Sequence, residues 1–293
     1  MGKDGTLARR YADLMASHGH GYGSYETESE HHVKPGVCGY IDDTGLWQHI
    51  VDLTDKRALE HGGYTKIGHL VKASPAEAVW EETTSEGVTT VKVKTDLGGG
   101  SDSFKGVVKF GLESSLESGA VLLCNTAVFR QGYAHEDCFR KWAKENLATI
   151  LKNCPDVKRY GFYVVRTTWT SEDVWINTWT ASQKEVTIGF AVQAVNVAEI
   201  SPSVEYRHGT SAGGWVHPIP KIRKNGIPEK RVLFFKGLQY KYRLAFGGIT
   251  WASEMRGEEE NEGEAFPVED PNDKDTKYGV EWYRVGAKDE NDD

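Results

Sequence analysis

The sequence predicts an α+β fold, a twisted and mostly antiparallel sheet with a few packed helices. Three observations carry that expectation. Apolar residues alternate with period two in roughly ten short segments, the spacing at which strand side chains share a face. These segments mostly follow one another with no helix between them, the order of hairpins and meanders rather than of parallel βαβ units. Only two stretches place apolar residues at the 3.6-residue spacing of an amphipathic helix. At 293 residues the chain can bury a sizeable core, as one large domain or two modest ones.

The first helix is expected over residues 6–17, where Leu7, Tyr11, Leu14 and Met15 fall on one face. Arg9 and Arg10 lie off it, with Lys3 just upstream, and the glycines of "SHGHGYGS" end it. Such a helix docks on a core or lies on an anionic lipid surface. Residues 34–53 read as turn, strand, turn at Asp43–Gly45, strand. Residues 54–86 are mixed and polar, and no element is assigned there. "VTTVKVKTD" from Val88 resumes alternation, "LGGGSDSFKG" is a connector, and "VVKFGLE" and "GAVLLCNTAV" are further strands. The strongest helix spans residues 135–154, with Phe139, Trp142, Ala143, Leu147, Ile150, Leu151 and Cys154 on one face and Pro155 as its stop. Strands then follow in "YGFYVVRTTWT", "DVWINTWT", "KEVTIGFAVQAV", "SVEYRHG", "GGWVHPI" and "KRVLFFKGLQYKYRLAF".

Charge divides the chain unevenly. Residues 254–293 hold fifteen of the 43 acidic and five of the 35 basic side chains, so the preceding body carries 28 acidic against 30 basic. An acidic tail either solvates or screens a basic surface on the body. Within the tail, "YGVEWYRV" is an apolar island able to dock back. A near-neutral body lacks the concentrated basic patch of a nucleic-acid binder. The four cysteines are scattered without C-x-x-C. No signal-peptide core and no apolar run of about 18 residues occurs. The expectation is a cytoplasmic protein, reduced and soluble as made. "MGKDGT" matches the loose myristoylation pattern, with Gly2 and Thr6.

Catalytic signatures are sparse, and the reading is that the chain is no enzyme and uses no cofactor or metal. "GGG" at Gly98–Gly100 lacks the Lys-Ser/Thr of a P-loop, and no H-E-x-x-H occurs. The pairs His18/His20 and His31/His32 have no spaced partner set for a metal. His135 and Cys138 share a helical turn, a weak pointer to a nucleophile. Trp169, Trp175, Trp179 and Trp215 raise the alternative of a carbohydrate- or ligand-binding module, and an unrecognised hydrolase is a further one. Residues 184–195 pose a sharper question. Val186, Ile188, Phe190 and Val192 alternate with Thr187, Gly189, Ala191 and Gln193, so the second face is small and uncharged where a water-facing strand carries charge.

Several blocks together, "KPGVCGYIDDTGLWQHIVDL", "YAHEDCFRKWAKENLATILKNCPDVKRYGFYVV", "KEVTIGF" and "KRVLFFKGLQYKYR", resemble the fungal gasdermin-like proteins that regulate cell death in heterokaryon incompatibility. The resemblance spans about residues 6–246. It implies a gasdermin pore-forming domain over residues 1–248, followed by an acidic, partly disordered and autoinhibitory tail over residues 249–293. The implied activity is binding to acidic phospholipids, assembly as a homo-oligomer or with an allelic partner, and relocation to the plasma membrane, where β-hairpins insert as a barrel. The inserting positions would be Val91 and Val93 in one hairpin, made of "VTTVKVKTD" and "FKGVVKFGL", with Lys92 and Lys94 toward the lumen. "DVWINTWT" and "KEVTIGFAVQAV" would form the other, with Val186, Ile188, Phe190 and Val192 toward lipid. Lipid binding would fall to Lys3, Arg9 and Arg10, with Lys158 and Arg159 after the long helix. An activating protease would cut near Phe246, Gly247, Gly248, Met255 and Arg256.

Overall fold

A computed structural model describes residues 3–95, 105–114, 118–180, 185–193, 215–218, 221–223, 226, 228–244 and 265–286. The chain runs through α1 (Lys3–Met15), β1 (Tyr22–Gly23), β2 (Val37–Ile41), β3 (Trp47–Asp52), α2 (Lys56–Gly62), β4 (Ala76–Ala78), β5 (Thr83–Thr84), β6 (Val88–Thr95), β7 (Lys105–Ser114), β8 (Ser118–Cys124) and β9 (Val128–Gly132). Then come α3 (Asp137–Asn153), the short α4 (Val157–Tyr160), β10 (Phe162–Ser171), β11 (Val174–Thr180), β12 (Glu185–Gln193), β13 (Arg231–Leu244), β14 (Phe266–Asp270) and β15 (Asp273–Val285). The fold is mixed α+β, with a mostly antiparallel, curled sheet and few helices.

The main sheet runs β14–β15–β13–β10–β2–β3, with β1 also on β13 and β9 on β10. Its curl has a local cause. β10 carries a register irregularity between Val165 and Thr167, opposite Gly237 and Lys236 of β13. A Cβ on Gly237 would lie 2.0 Å from the Val164 carbonyl oxygen, so only glycine lets the irregular strand close on its neighbour. Bulges of this kind increase the twist.

Helix α3 covers one face of that sheet. Phe139, Trp142, Ala143, Leu147, Ile150 and Leu151 are buried at the i, i+3, i+4 spacing read from the sequence, and they pack on Phe162, Val164, Leu238 and Tyr240. Phe162 and Tyr240 stack at 4.7 Å and 10°. Asn146 is buried on the same face, which periodicity alone does not explain. Its side chain accepts from the Thr65 amide at 2.9 Å and donates to the Trp142 carbonyl at 2.7 Å, so burial leaves it paired. That bond ties down the unassigned polar segment, where α2 begins on an Asp55 cap whose carboxylate accepts from the Arg57 and Ala58 amides.

Part of the acidic tail, whose apolar island was expected to be able to dock back, is sheet. β14 and β15 form a hairpin, and β15 pairs with β13 from Gly237↔Val285 to Leu244↔Tyr278. Val268, Val280 and Trp282 enter the α3 core. The island "YGVEWYRV" thus docks through alternate inward residues, while the β13 edge satisfies its backbone. A boundary at residue 248 therefore falls within one sheet, and residues 249–264 and 287–293 lie outside the described residues. The hairpin ends at a crossing of two glycines. Gly21 (φ +95°) lies so close to β13 that a Cβ would sit 2.2 Å from the Phe235 carbonyl oxygen. A Cβ on Gly286 (φ +104°) would sit 3.1 Å from the Gly21 nitrogen.

Candidate functional site

Beyond the main sheet, the described residues form two three-stranded sheets. The first has the order β11–β8–β5 and the second β12–β7–β6. β11 pairs with β8 from Val174↔Cys124 to Thr180↔Ser118, and β12 pairs with β7 from Glu185↔Glu113 to Gln193↔Lys105. From Thr180 to Glu185 is five residues, and so is the return from Ser118 to Glu113, so both sheets keep one register. This corrects the expected pairing of "DVWINTWT" with "KEVTIGFAVQAV". They are not paired with each other: β11 pairs with β8 and β12 with β7, because alternation reports faces and not neighbours.

Register assigns the faces of the outer sheet, since directly paired positions share a face. Positions 186, 188 and 190 stand opposite Leu112, Phe110 and Val108, giving one apolar face. Positions 187, 189 and 191 stand opposite Gly111, Lys109 and Val107. Val91 and Val93 of β6 pair with Gly111 and Lys109, whereas Lys92 and Lys94 pair with Phe110 and Val108. Val91 and Val93 therefore occupy the opposite face from Val186, Ile188, Phe190 and Val192. In this register the six positions do not share one face of the sheet, because a one-residue difference in phase exchanges faces.

At the inner sheet, α1 seats on the face of Ala120, Leu122, Val174 and Ile176 through Ala8, Tyr11 and Met15. The turn between β2 and β3 presses on the helix. Gly45 (φ +87°) is so near that a Cβ would lie 2.5 Å from the Ala8 Cβ. Arg9 projects outward and is exposed, Arg10 is half-buried, and the Lys3 side chain lies outside the described residues. Tyr22, near Asp13 and Arg9, has its hydroxyl pushed up to about 12, first by burial and then by Asp13. The opposite face of β11 carries Trp175, Asn177 and Trp179, each buried. The Trp175 and Trp179 indole nitrogens and the Asn177 side-chain oxygen have no hydrogen-bond partner, a cost to the folded state.

The two basic residues after the long helix are engaged. Lys158 Nζ meets Asp270 Oδ2 of the C-terminal hairpin at 2.5 Å, and Arg159 meets Asp43 at 3.4 Å. Asp270 is 3% exposed and Lys158 32%. The lysine's hydrogen bond holds the carboxyl below the ordinary carboxylate range, and the same bond raises the Lys158 ammonium. More of the hairpin covers α3. Lys144 lies over the Phe266 ring at 4.5 Å, Arg140 over Trp282 at 5.2 Å, and Arg284 pairs with Glu136 at 2.7 Å. Phe246, Gly247, Gly248, Met255 and Arg256, the expected cleavage region, lie outside the described residues.

The rival chemistries find these placements. Of the four tryptophans behind the carbohydrate-binding alternative, Trp169, Trp175 and Trp179 are buried and Trp215 is half-buried. His18 Nε2 bonds the Thr84 carbonyl at 2.7 Å, and the His20 ring stacks on Trp80 at 4.6 Å. Cys138 donates to the His135 carbonyl at 3.7 Å, and burial raises its thiol. A pairing missed in the sequence is His217 Nε2 with Asp173 Oδ1 at 2.9 Å, the His217 ring stacked on Trp175 at 3.9 Å. Separated by 44 residues, the two have no local signal. Among the described residues no group of three His, Cys, Asp or Glu is placed to hold a metal, and no helix is long and apolar enough to cross a membrane, which leaves strands untouched. No protein-family model matches the chain, and no curated protein matches it significantly.

Proposed function

We propose that this chain is a gasdermin-like pore-forming protein. On activation it binds acidic phospholipids, assembles with further copies or with an allelic partner, and inserts strands as a β-barrel that permeabilises the plasma membrane. One observation carries the reading: the β7–β12 register sets positions Leu112, Phe110 and Val108 opposite Val186, Ile188 and Phe190, with Thr187, Gly189 and Ala191 opposite Gly111, Lys109 and Val107 on the alternate positions. A membrane strand needs about 9–11 tilted residues, apolar toward lipid and polar or small toward the lumen. β7 has ten residues and β12 nine. Closure into a barrel supplies the backbone partners that an open sheet in lipid lacks.

In this reading α1 is the first lipid contact, through Lys3, Arg9 and Arg10, each worth about 1 kcal/mol on an anionic surface. Lys158 joins them only once Asp270 lets go, so the C-terminal hairpin is the restraint. An activating protease acts in residues 246–256. The test is dye release from vesicles of phosphatidylcholine and phosphatidylserine, with a protease site engineered into residues 249–256. Leakage that starts on cutting and fades in 1 M salt, where the Debye length is about 3 Å, supports the reading. An intact bilayer after cutting, with the chain unbound, overturns it.

A further inference from the structure

The two most exposed large apolar side chains among the described residues lie in segments of opposite charge. Val79 is 86% exposed and Ile222 73%, while Val71 and Leu46 follow at 43%. Residues 73–91 hold four acidic side chains and no basic one, whereas residues 221–231 hold five basic and one acidic. Glu77 and Glu81, two residues to either side of Val79, are exposed, as is Lys221 beside Ile222. A single exposed apolar residue needs no explanation. Here each is flanked by charge of one sign, and the two signs are opposite.

Both segments are held in place. β4 pairs with β9 through Ala76↔Arg130, Glu77↔Phe129 and Ala78↔Val128, and among the described residues no further strand lies beyond it. Pro75 before this edge strand and Glu77 at its centre blunt the addition of another strand, which leaves side chains as the means of docking. The chain doubles back between Lys221 and Glu229. Ile222 bridges Pro228, the Glu229 amide donates to the Lys221 carbonyl at 2.8 Å, and the Gly226 amide (φ +79°) donates to the Arg223 carbonyl at 2.9 Å. Arg223 pairs with Glu30, whose amide donates to the Lys230 carbonyl at 3.0 Å. Such pre-ordering lowers the entropy lost on binding. The two segments also neighbour each other on the main sheet, because Lys230 lies over the Phe129 ring at 3.3 Å and Phe129 stands opposite Glu77.

We propose that these segments form a two-fold contact between two copies of this chain, with Ile222 of each copy seated on Val79 of the other and Lys221 set between Glu77 and Glu81. Because the segments are neighbours, a single two-fold axis satisfies both halves of the contact at once. Charge fixes the pairing of unlike segments. Val79 against Val79 would bring the glutamates of both copies together, and Ile222 against Ile222 would do the same with the basic side chains. A second copy supplies both complementary surfaces. An anionic lipid surface would match the basic segment alone and repel the acidic one beside it. The contact belongs to the small, transient class of interfaces, and it stands independently of the pore-forming reading.

The test traps the contact in solution. Full chain carrying Val79→Cys is mixed with an equal amount carrying Ile222→Cys, oxidised mildly, and the linked peptides are identified by mass spectrometry. Random collision gives 79–222, 79–79 and 222–222 links at about 2:1:1, and the expected result is about a tenfold excess of 79–222 over either like pair. Ser74→Cys, exposed before β4, keeps every charge and controls for attraction without seating; its link to residue 222 should form several-fold more slowly. Sedimentation equilibrium of the unaltered chain should show monomer and dimer. Ile222→Ser and Lys221→Glu should each weaken the dimer about tenfold, since each change counts twice across the axis. Adding Glu77→Lys and Glu81→Lys to Lys221→Glu should restore it. Links in the collision ratio, a 74–222 link as fast as 79–222, or a charge reversal left unrestored would each overturn the contact. If Ile222→Ser then also abolishes binding to phosphatidylserine vesicles, the basic segment is a lipid site instead.

Discussion

Replacing Asp270 by asparagine should loosen the C-terminal hairpin without melting the domain. The carboxylate is 3% exposed, receives Lys158 at 2.5 Å, and accepts from the Asn272 amide at 2.9 Å. A hydrogen bond involving a charged group contributes about 1.5–3 kcal/mol. Asparagine can still accept from Asn272, and Lys158, 32% exposed, regains some water, so the lower half of that range applies. A loss of about 1.5–2 kcal/mol from local opening means roughly a 10- to 30-fold faster exchange. Hydrogen exchange at the Val280 and Trp282 amides, in the strand paired with β13, is the assay, with Ile150 and Leu151 of α3 as reference. Equal acceleration at all four sites would refute the reasoning, because the hairpin would then open only with the whole core. No acceleration anywhere would show that the ion pair contributes nothing net.

The same pair has a definite pH signature. The depressed Asp270 contributes stability that is present above the unfolded carboxyl value near about 3.9 and lost as pH falls through its lower folded value. The raised Lys158 contributes stability present below about 10.4 and lost as pH rises through its folded value. Hairpin protection, the measured exchange rate relative to the intrinsic amide rate at the same pH, should therefore be greatest between those limits, and Asp270→Asn should remove the acid limb. Neutralising Arg9 and Arg10 to glutamine should weaken binding to anionic vesicles about 30-fold by sedimentation with Tm nearly unchanged, since Arg9 is exposed. Gly119→Ala should destabilise by about 1–3 kcal/mol in denaturant melts, because the new Cβ would lie 2.1 Å from Trp179 Cζ2.

The parts legible in the sequence were those written into local periodicity. The α3 face was readable because six apolar residues repeat at helical spacing over residues 139–151. The strand at residues 184–195 was readable from alternation, and β12 occupies Glu185–Gln193 within it. Partner choice was not readable. β11 and β12 are joined by few residues, which suggests a hairpin, yet they pair with the earlier β8 and β7 respectively. Helix α2 escaped notice because Leu59 is its one buried residue and the signal is the single cap Asp55. The hairpin of β14 and β15 was hidden by composition. It lies in the most acidic part of the sequence, and charge averages carry no information about which alternate positions face inward. Lys158 looked like a lipid ligand because its partner lies 112 residues away.

The glycine crossing has an architectural consequence. Because Gly286 abuts Gly21, the end of β15 and the link out of α1 meet at one point on β13. A circular permutant can carry a linker from the end of the hairpin to the start of α1 and open within residues 246–256. Such a molecule would be cut from birth at the proposed protease segment, yet its hairpin would remain tethered to α1. It would separate two events that proteolysis always delivers together, breaking the peptide bond and losing the strand.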